Sequence, residues 1–310
     1  SDLFGYKNMG RYNSGPFGDE LIGGSYLQKF SFFSIFYFFN YFKNNKFFVP
    51  VLIFIIFYHA FGILLAGNKM PLLLFIFGCC VTILIIKNFR LIMTASLVVF
   101  FISFILVIKN DLHFANAYKS FLNEINITKI NKKEEIVEDK SKHLITTAHT
   151  QDSPPKGLGI LRNSGHGVVW ITAAEMWLEQ PIFGFGLKSF RVKCWELVFK
   201  DQRRPKETGC SNHPHNYYLE MLSEAGIIGL FFLLTFFFLL FKGSYDYIKN
   251  YNQNRTLELN LLLALAITLI VELWPLRSAG SFFTTWNATF FWIIAASLLG
   301  QIKREKSLKK

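Results

Sequence analysis

The chain has 310 residues, of which 52% are hydrophobic and 36 are Phe, and it carries a formal net charge of +12. Excess basic charge can signal nucleic acid, but here the Lys and Arg residues cluster in short stretches between long apolar runs, which is a pattern of membrane topology. Those runs are long enough to cross a bilayer as helices (roughly 17–25 residues each), and helices satisfy their own backbone in hydrocarbon. The expected class is therefore all-α, a polytopic helical membrane bundle with no nucleic-acid partner and with membrane lipids around it.

In chain order, a polar segment at 1–25 precedes four spans within 26–108, at about 26–42, 49–66, 70–86 and 89–108. The first is the weakest, being short and carrying Lys29 near one end, where it could snorkel. A polar loop then occupies 109–225. Three more spans fill 226–300, at about 226–242, 257–275 and 282–300, and a basic tail closes the chain at 301–310. The chain starts at Ser1 with no Met, compatible with missing N-terminal spans or with a processed start.

The short loops set the orientation. Lys43, Lys46, Lys87, Arg90, Lys242, Lys249, Arg255 and the basic tail all fall on one side, whereas the short connections of the other side carry only Lys69 and Arg277. The positive-inside rule puts the first set in the cytoplasm, so residues 1–25, the long loop, Lys69 and Arg277 face outward.

The long loop divides in two. Residues 115–160 have mixed charge and few aromatics, and are expected to be mobile or partly helical. Residues 162–224 are rich in aromatics and Gly and read as a folded layer. Within it, Gly167–Gln180 has helical spacing stopped by Pro181, and Phe183-Gly184-Phe185-Gly186 reads as a tight turn. Cys79 and Cys80 lie in an apolar run as packing residues. Cys194 and Cys210 can form a disulfide if the loop faces an oxidising compartment.

The loop ends on His213-Pro214-His215-Asn216-Tyr217-Tyr218-Leu219-Glu220, which runs through Glu224-Ala225-Gly226-Ile227-Ile228-Gly229 into a span. The spacing predicts a helix with Pro214 in its first turn, capped by Ser211, Asn212 or His213, so that His215, Tyr218, Leu219 and Leu222 share a face. Gly226 and Gly229 would allow close packing where the span begins. His215 reads either as a cap or interface residue or as a site residue. Glu220 and Glu224 share a face and would salt-bridge loop cations or orient sugars. His59 reads as a packing residue, and His149 and His166 as solvated. A zinc site from Cys194, Cys210, His213 and His215 lacks the usual paired spacing, so no metal is expected.

His215-Asn216 followed by Gly226-x-x-Gly229 resembles the signature of the O-antigen ligase and polymerase family of bacterial envelope glycosyltransferases. Arg11 through Phe17 with Gly23 to Leu27 resembles that family's Arg-led segment before a span. Arg162 to Trp170, Pro181 and Gly184-Phe185-Gly186 resembles the loop preceding its histidine motif. Members usually have more than seven spans, which again points to missing N-terminal spans.

The resemblance implies transfer of a glycan from undecaprenyl diphosphate at the periplasmic face of the bacterial inner membrane, with no cofactor and no required metal. The acceptor would be the lipid A core in a ligase, or another lipid-linked glycan in a polymerase; the ligase reading is preferred. Such chemistry asks for cations on the leaving diphosphate: Arg11, Lys69, Arg162 and Arg277 are the outward candidates. Lys69 stands where the family usually has Arg, and lacks its bidentate fork. A neutral His suits the acceptor hydroxyl: His215 first, His213 as the alternative, with Asn216 beside them on substrate. Inversion follows from one in-line displacement. Arg277 can also pair with Glu272 at the outer end of its span. A transporter of lipid-linked sugars is the rival from another class, but it would be expected to show repeats and broken helices at mid-membrane.

Overall fold

The computed structural model describes residues 23–67, 69–110, 115, 116, 118, 165–200, 209–249 and 256–308, and every regular element among them is a helix. They are α1 Gly23–Phe42, α2 Phe48–Leu65, α3 Lys69–Ile85, α4 Arg90–Asn110, α5 Gly165–Glu179, α6 Phe190–Lys200, α7 Tyr217–Lys249, α8 Thr256–Glu272 and α9 Thr285–Leu308. The membrane runs read from composition reappear as α1–α4 and α7–α9. Most of the mixed-charge stretch 115–160, together with Arg11, His149 and Arg162, lies outside the described residues.

Local chemistry explains the helix ends. Pro50 and Pro71 are both third in their helices, where the missing N–H has no intrahelical partner to lose. The Arg90 guanidinium donates to the carbonyls of Ile83 and Leu84 at 2.9 and 3.2 Å, closing the end of α3. Hydroxyls inside the apolar helices bond their own preceding turn: Thr82 to Gly78, Ser96 to Ile92 and Thr268 to Ala264. The hydrogens of these three hydroxyls are thereby withheld from lipid.

Two apolar cores share α8. Leu263, Ala264, Ile267 and Val271 join the core of α1–α4, while Leu262, Leu265, Ala266 and Leu269 join that of α7 and α9. Leu262 through Leu269 are all buried, as befits a helix apolar on every side. Among the described residues, three helical stretches are long and apolar enough overall to cross a membrane: Phe48–Leu65, Lys87–Asn110 (α4 with its leading 3-10 turn) and Tyr217–Lys249. The chain is thus a multi-pass membrane protein. Lys29 in α1 does not snorkel: it is 7% exposed, donates to Asn287 Oδ1 at 3.2 Å and lies over the Phe290 ring. A fixed partner on α9 has replaced the solvent it was expected to seek.

α5 and α6 form a layer around Val169, Ala173, Met176, Phe190 and Cys194. A disulfide joins Cys194 to Cys210, with Cα atoms 5.5 Å apart, which commits both sulfurs that a zinc site would need.

The layer is fastened to α7 at a break in that helix. Gly226 has φ 64° and ψ −166°, a conformation open essentially to Gly alone. The turn between α5 and α6 satisfies the backbone groups that the break releases. Phe185 and Gly186 N–H donate to the Ser223 and Glu224 carbonyls at 3.0 and 2.8 Å, and Ile227 N–H donates to the Pro181 carbonyl at 2.9 Å. A Cβ at Gly226 would lie 2.1 Å from the Ile182 carbonyl oxygen, and one at Gly184 2.5 Å from the Glu224 backbone. Gly229 has an ordinary helical backbone, but a Cβ there would meet the Ala225 methyl at 2.3 Å. The Gly-x-x-Gly spacing thus serves a kink and its clasp.

Gly226→Ala should therefore destabilise the fold by about 2 kcal/mol or more, read as a lower unfolding temperature in detergent. Gly300→Ala, where an added Cβ meets nothing within 4 Å, should be neutral or slightly stabilising.

Candidate functional site

The histidine motif sits where α5, the start of α7 and the segment between α8 and α9 converge. The predicted helix starts later than its spacing suggested. His215 has φ 57°, in the left-handed region, and α7 begins at Tyr217. The cap is Asn216: its Oδ1 accepts the N–H groups of Tyr218 and Leu219 at 3.1 and 3.2 Å. His215 therefore precedes the helix and does not share a face with Leu222. Spacing carries no information about a positive φ, which His tolerates better than most residues.

The segment following α8 acts as a platform for the motif. Asn216 Nδ2 donates to the Pro275 carbonyl at 2.7 Å, and the Tyr218 hydroxyl to the Leu273 carbonyl at 2.6 Å. Ala279 N–H donates to the His215 carbonyl at 2.8 Å, holding the left-handed residue in place. The Tyr217 ring stacks on Phe282 with centroids 3.9 Å apart. Beneath lies an ion pair, Arg277 to Glu272 at 2.6 Å, with both side chains buried; this is the local pairing anticipated for the two.

Glu220 and Glu224 of α7 are buried and, among the described residues, salt-bridge no loop cation. Glu220 accepts the Phe282 N–H at 2.8 Å. Glu224 accepts those of Lys188 and Phe190 at 2.6 and 3.2 Å, capping α6 from across the layer. Each is 2% exposed. Buried N–H groups at loop and helix ends need an acceptor, and this demand overrode surface pairing.

The imidazoles come together. The ring centroids of His213 and His215 are 4.2 Å apart, and those of His166 and His215 4.8 Å. His166, exposed as its sequence reading expected, reaches the group from the first turn of α5, with its Nε2 3.4 Å from Ser278 Oγ. No spacing rule links it to residues so far along the chain. Both ring nitrogens of His213 are buried without a hydrogen-bond partner among the described residues. His59 is in a different place, within α2, with its Nε2 2.5 Å from Ser34 Oγ. Lys69 begins α3, about 12 Å of helix rise from Phe77, whose ring packs on Trp274 of the platform at 4.5 Å.

Burial holds His215 down to about 4 from an ordinary 6.5, with His213 and His166 reinforcing the shift and the Ala279 backbone opposing it. Burial lowers His213 and His166 too, and Arg191 adds to the effect on His213. All three are therefore held neutral near pH 7, as acceptor or tautomeric donor groups.

An all-helical membrane bundle carrying a histidine motif on a braced platform defines the broad class. The profile of the O-antigen ligase family matches residues 51–234, and the chain belongs to that family. It is also 34% identical over 86 residues to "Putative polysaccharide ligase RC0486" of Rickettsia conorii, a match covering 27% of this chain and 21% of that protein. The chain thus matches about a fifth of the length of that curated relative. No solved structure matches the chain.

Two outcomes follow. Asn216→Ala should remove both the cap and the Pro275 tether, costing about 1–2 kcal/mol, measurable by thermal unfolding in detergent. Between pH 6.5 and about 4 the unfolded chain binds a proton at His215 that the folded chain resists. Stability should therefore fall as pH drops through that window and be unaffected by this group above it. In thermal unfolding measured against pH, His215→Gln should flatten part of that slope; an unchanged slope would remove His215 as its source.

Proposed function

We propose that the protein transfers a glycan from undecaprenyl diphosphate to an acceptor sugar at the periplasmic face of the inner membrane, acting as a ligase with the lipid A core as acceptor. The observation that carries this reading is the convergence of three imidazoles, neutral near pH 7, on a segment at the entrance of a membrane helix. Membership of the O-antigen ligase family supports transfer over the transport alternative.

His215 takes the proton of the acceptor hydroxyl as its oxygen attacks the anomeric carbon. The bond from that carbon to the diphosphate oxygen breaks in line, the configuration inverts, and undecaprenyl diphosphate leaves with the bonding electron pair. No metal is required by this scheme. Arg11, Arg162 and Lys69 neutralise the leaving diphosphate. His213, beside His215, orients the acceptor. Arg277 and Asn216 act from beneath, one bracing the platform through Glu272 and the other fixing the backbone that carries His215.

The test is a reconstituted assay of the full-length protein with undecaprenyl-diphosphate glycan, offering the lipid A core and, separately, a second lipid-linked repeat unit. Product on the core, lost about 10²–10⁴-fold in His215→Ala with unfolding temperature retained, is the expected result. Chain extension on the lipid-linked acceptor would make the protein a polymerase. Unchanged transfer in the variant would remove His215 as base, and no product with either acceptor would overturn the reading.

A further inference from the structure

α7 offers less apolar length beyond its kink than a bilayer requires. From Ile227 to Phe241, just before Lys242, the helix rises about 22 Å, against a hydrocarbon core of about 30 Å. The arm before the kink, Tyr217–Ala225, carries Glu220 and Glu224, whose carboxylates are committed to backbone N–H groups of the platform and of α6. Something else must present apolar surface to the lipid at that end of the helix.

The turn docked into the kink is placed to do so. The Pro181 carbonyl accepts the Ile227 N–H at 2.9 Å, and the Ile182 carbonyl lies 3.4 Å from the Ile228 nitrogen. The turn is therefore level with the first residues of the span. Its side chains point away from the protein: Phe183 is 73% exposed, Leu187 64% and Ile182 54%. They adjoin Ile227, Ile228 and Phe231, which are exposed on the same end of α7. An exposed apolar turn at this level is costly in water and favourable in acyl chains.

We infer that the Pro181–Gly186 turn, with Leu187, is inserted in the bilayer on the histidine side and completes the hydrophobic length of α7. The occupant of this surface is the acyl-chain region of that leaflet, because the surface is continuous with the lipid-facing side of a spanning helix. The motif is then gripped from two sides, by the platform through hydrogen bonds and by the membrane through the clasp. Lipid contact at Phe183 does not depend on whether the protein transfers glycans.

The experiment uses the full chain in vesicles of phosphatidylethanolamine and phosphatidylglycerol. In a Cys79→Ala, Cys80→Ala background, a fluorophore is attached at Phe183→Cys, with Ile182→Cys as a second position should the first misfold. Phe231→Cys serves as lipid reference and Glu196→Cys as aqueous reference. Quenching by phospholipid bearing a doxyl group high on the acyl chain is compared with quenching by iodide. The expected result is lipid quenching at 183 within about twofold of that at 231, with iodide ineffective. Iodide quenching like that at 196 would overturn the inference. Shielding from both quenchers would also overturn it, showing that another part of the chain or a second copy covers the turn.

Discussion

The fold around the histidine motif depends on one backbone exchange. Breaking a membrane helix releases carbonyl and N–H groups that hydrocarbon cannot satisfy. Here the break at Gly226 releases them and the Pro181–Gly186 turn takes them up. That exchange ties a layer lying outside the helix bundle to one of its spanning helices. It holds α5, and so His166, against the motif. It also sets Glu224 where its carboxylate can cap α6. Without a Gly at 226 the helix would run straight, and the turn would lose its seat.

Above the kink, the motif is organised by the same rule. Asn216 uses both ends of its amide, one as a cap for α7 and the other as a tether to Pro275. His215 is left out of the helix, with its carbonyl bonded to Ala279 and its ring beside two others. A residue held in left-handed backbone by flanking tethers cannot drift far, so the imidazole has a defined position before any substrate arrives. In the proposed reaction, such prior organisation would let a weakly basic group act on a hydroxyl without first being assembled.

Much of this was legible in the sequence, because long apolar runs and tight Gly-Pro turns are local signals. The membrane helices, the stop at Pro181, the turn at 183–186 and the pairing of Arg277 with Glu272 could be read directly. What could not be read arises from contacts between distant segments. The start of α7 depends on a positive φ stabilised by Ala279. The roles of Glu220 and Glu224 depend on which orphan N–H groups fold against them. His166 joins the motif only because the clasp brings α5 there, and Lys29 was misread because its partner, Asn287, sits 258 residues away.

That last separation bears on how the protein is made. α1, with a buried Lys29, is not among the described helices that are long and apolar enough to cross a membrane. A charged side chain alone in the bilayer costs a few kcal/mol, and Lys29 finds its acceptor only on α9. α1 is made before α9, so Lys29 must be sheltered, beside the translocation machinery or among α2 and α3, until α9 emerges. The integration of α1 is in that sense a cooperative act, completed only when α9 joins it.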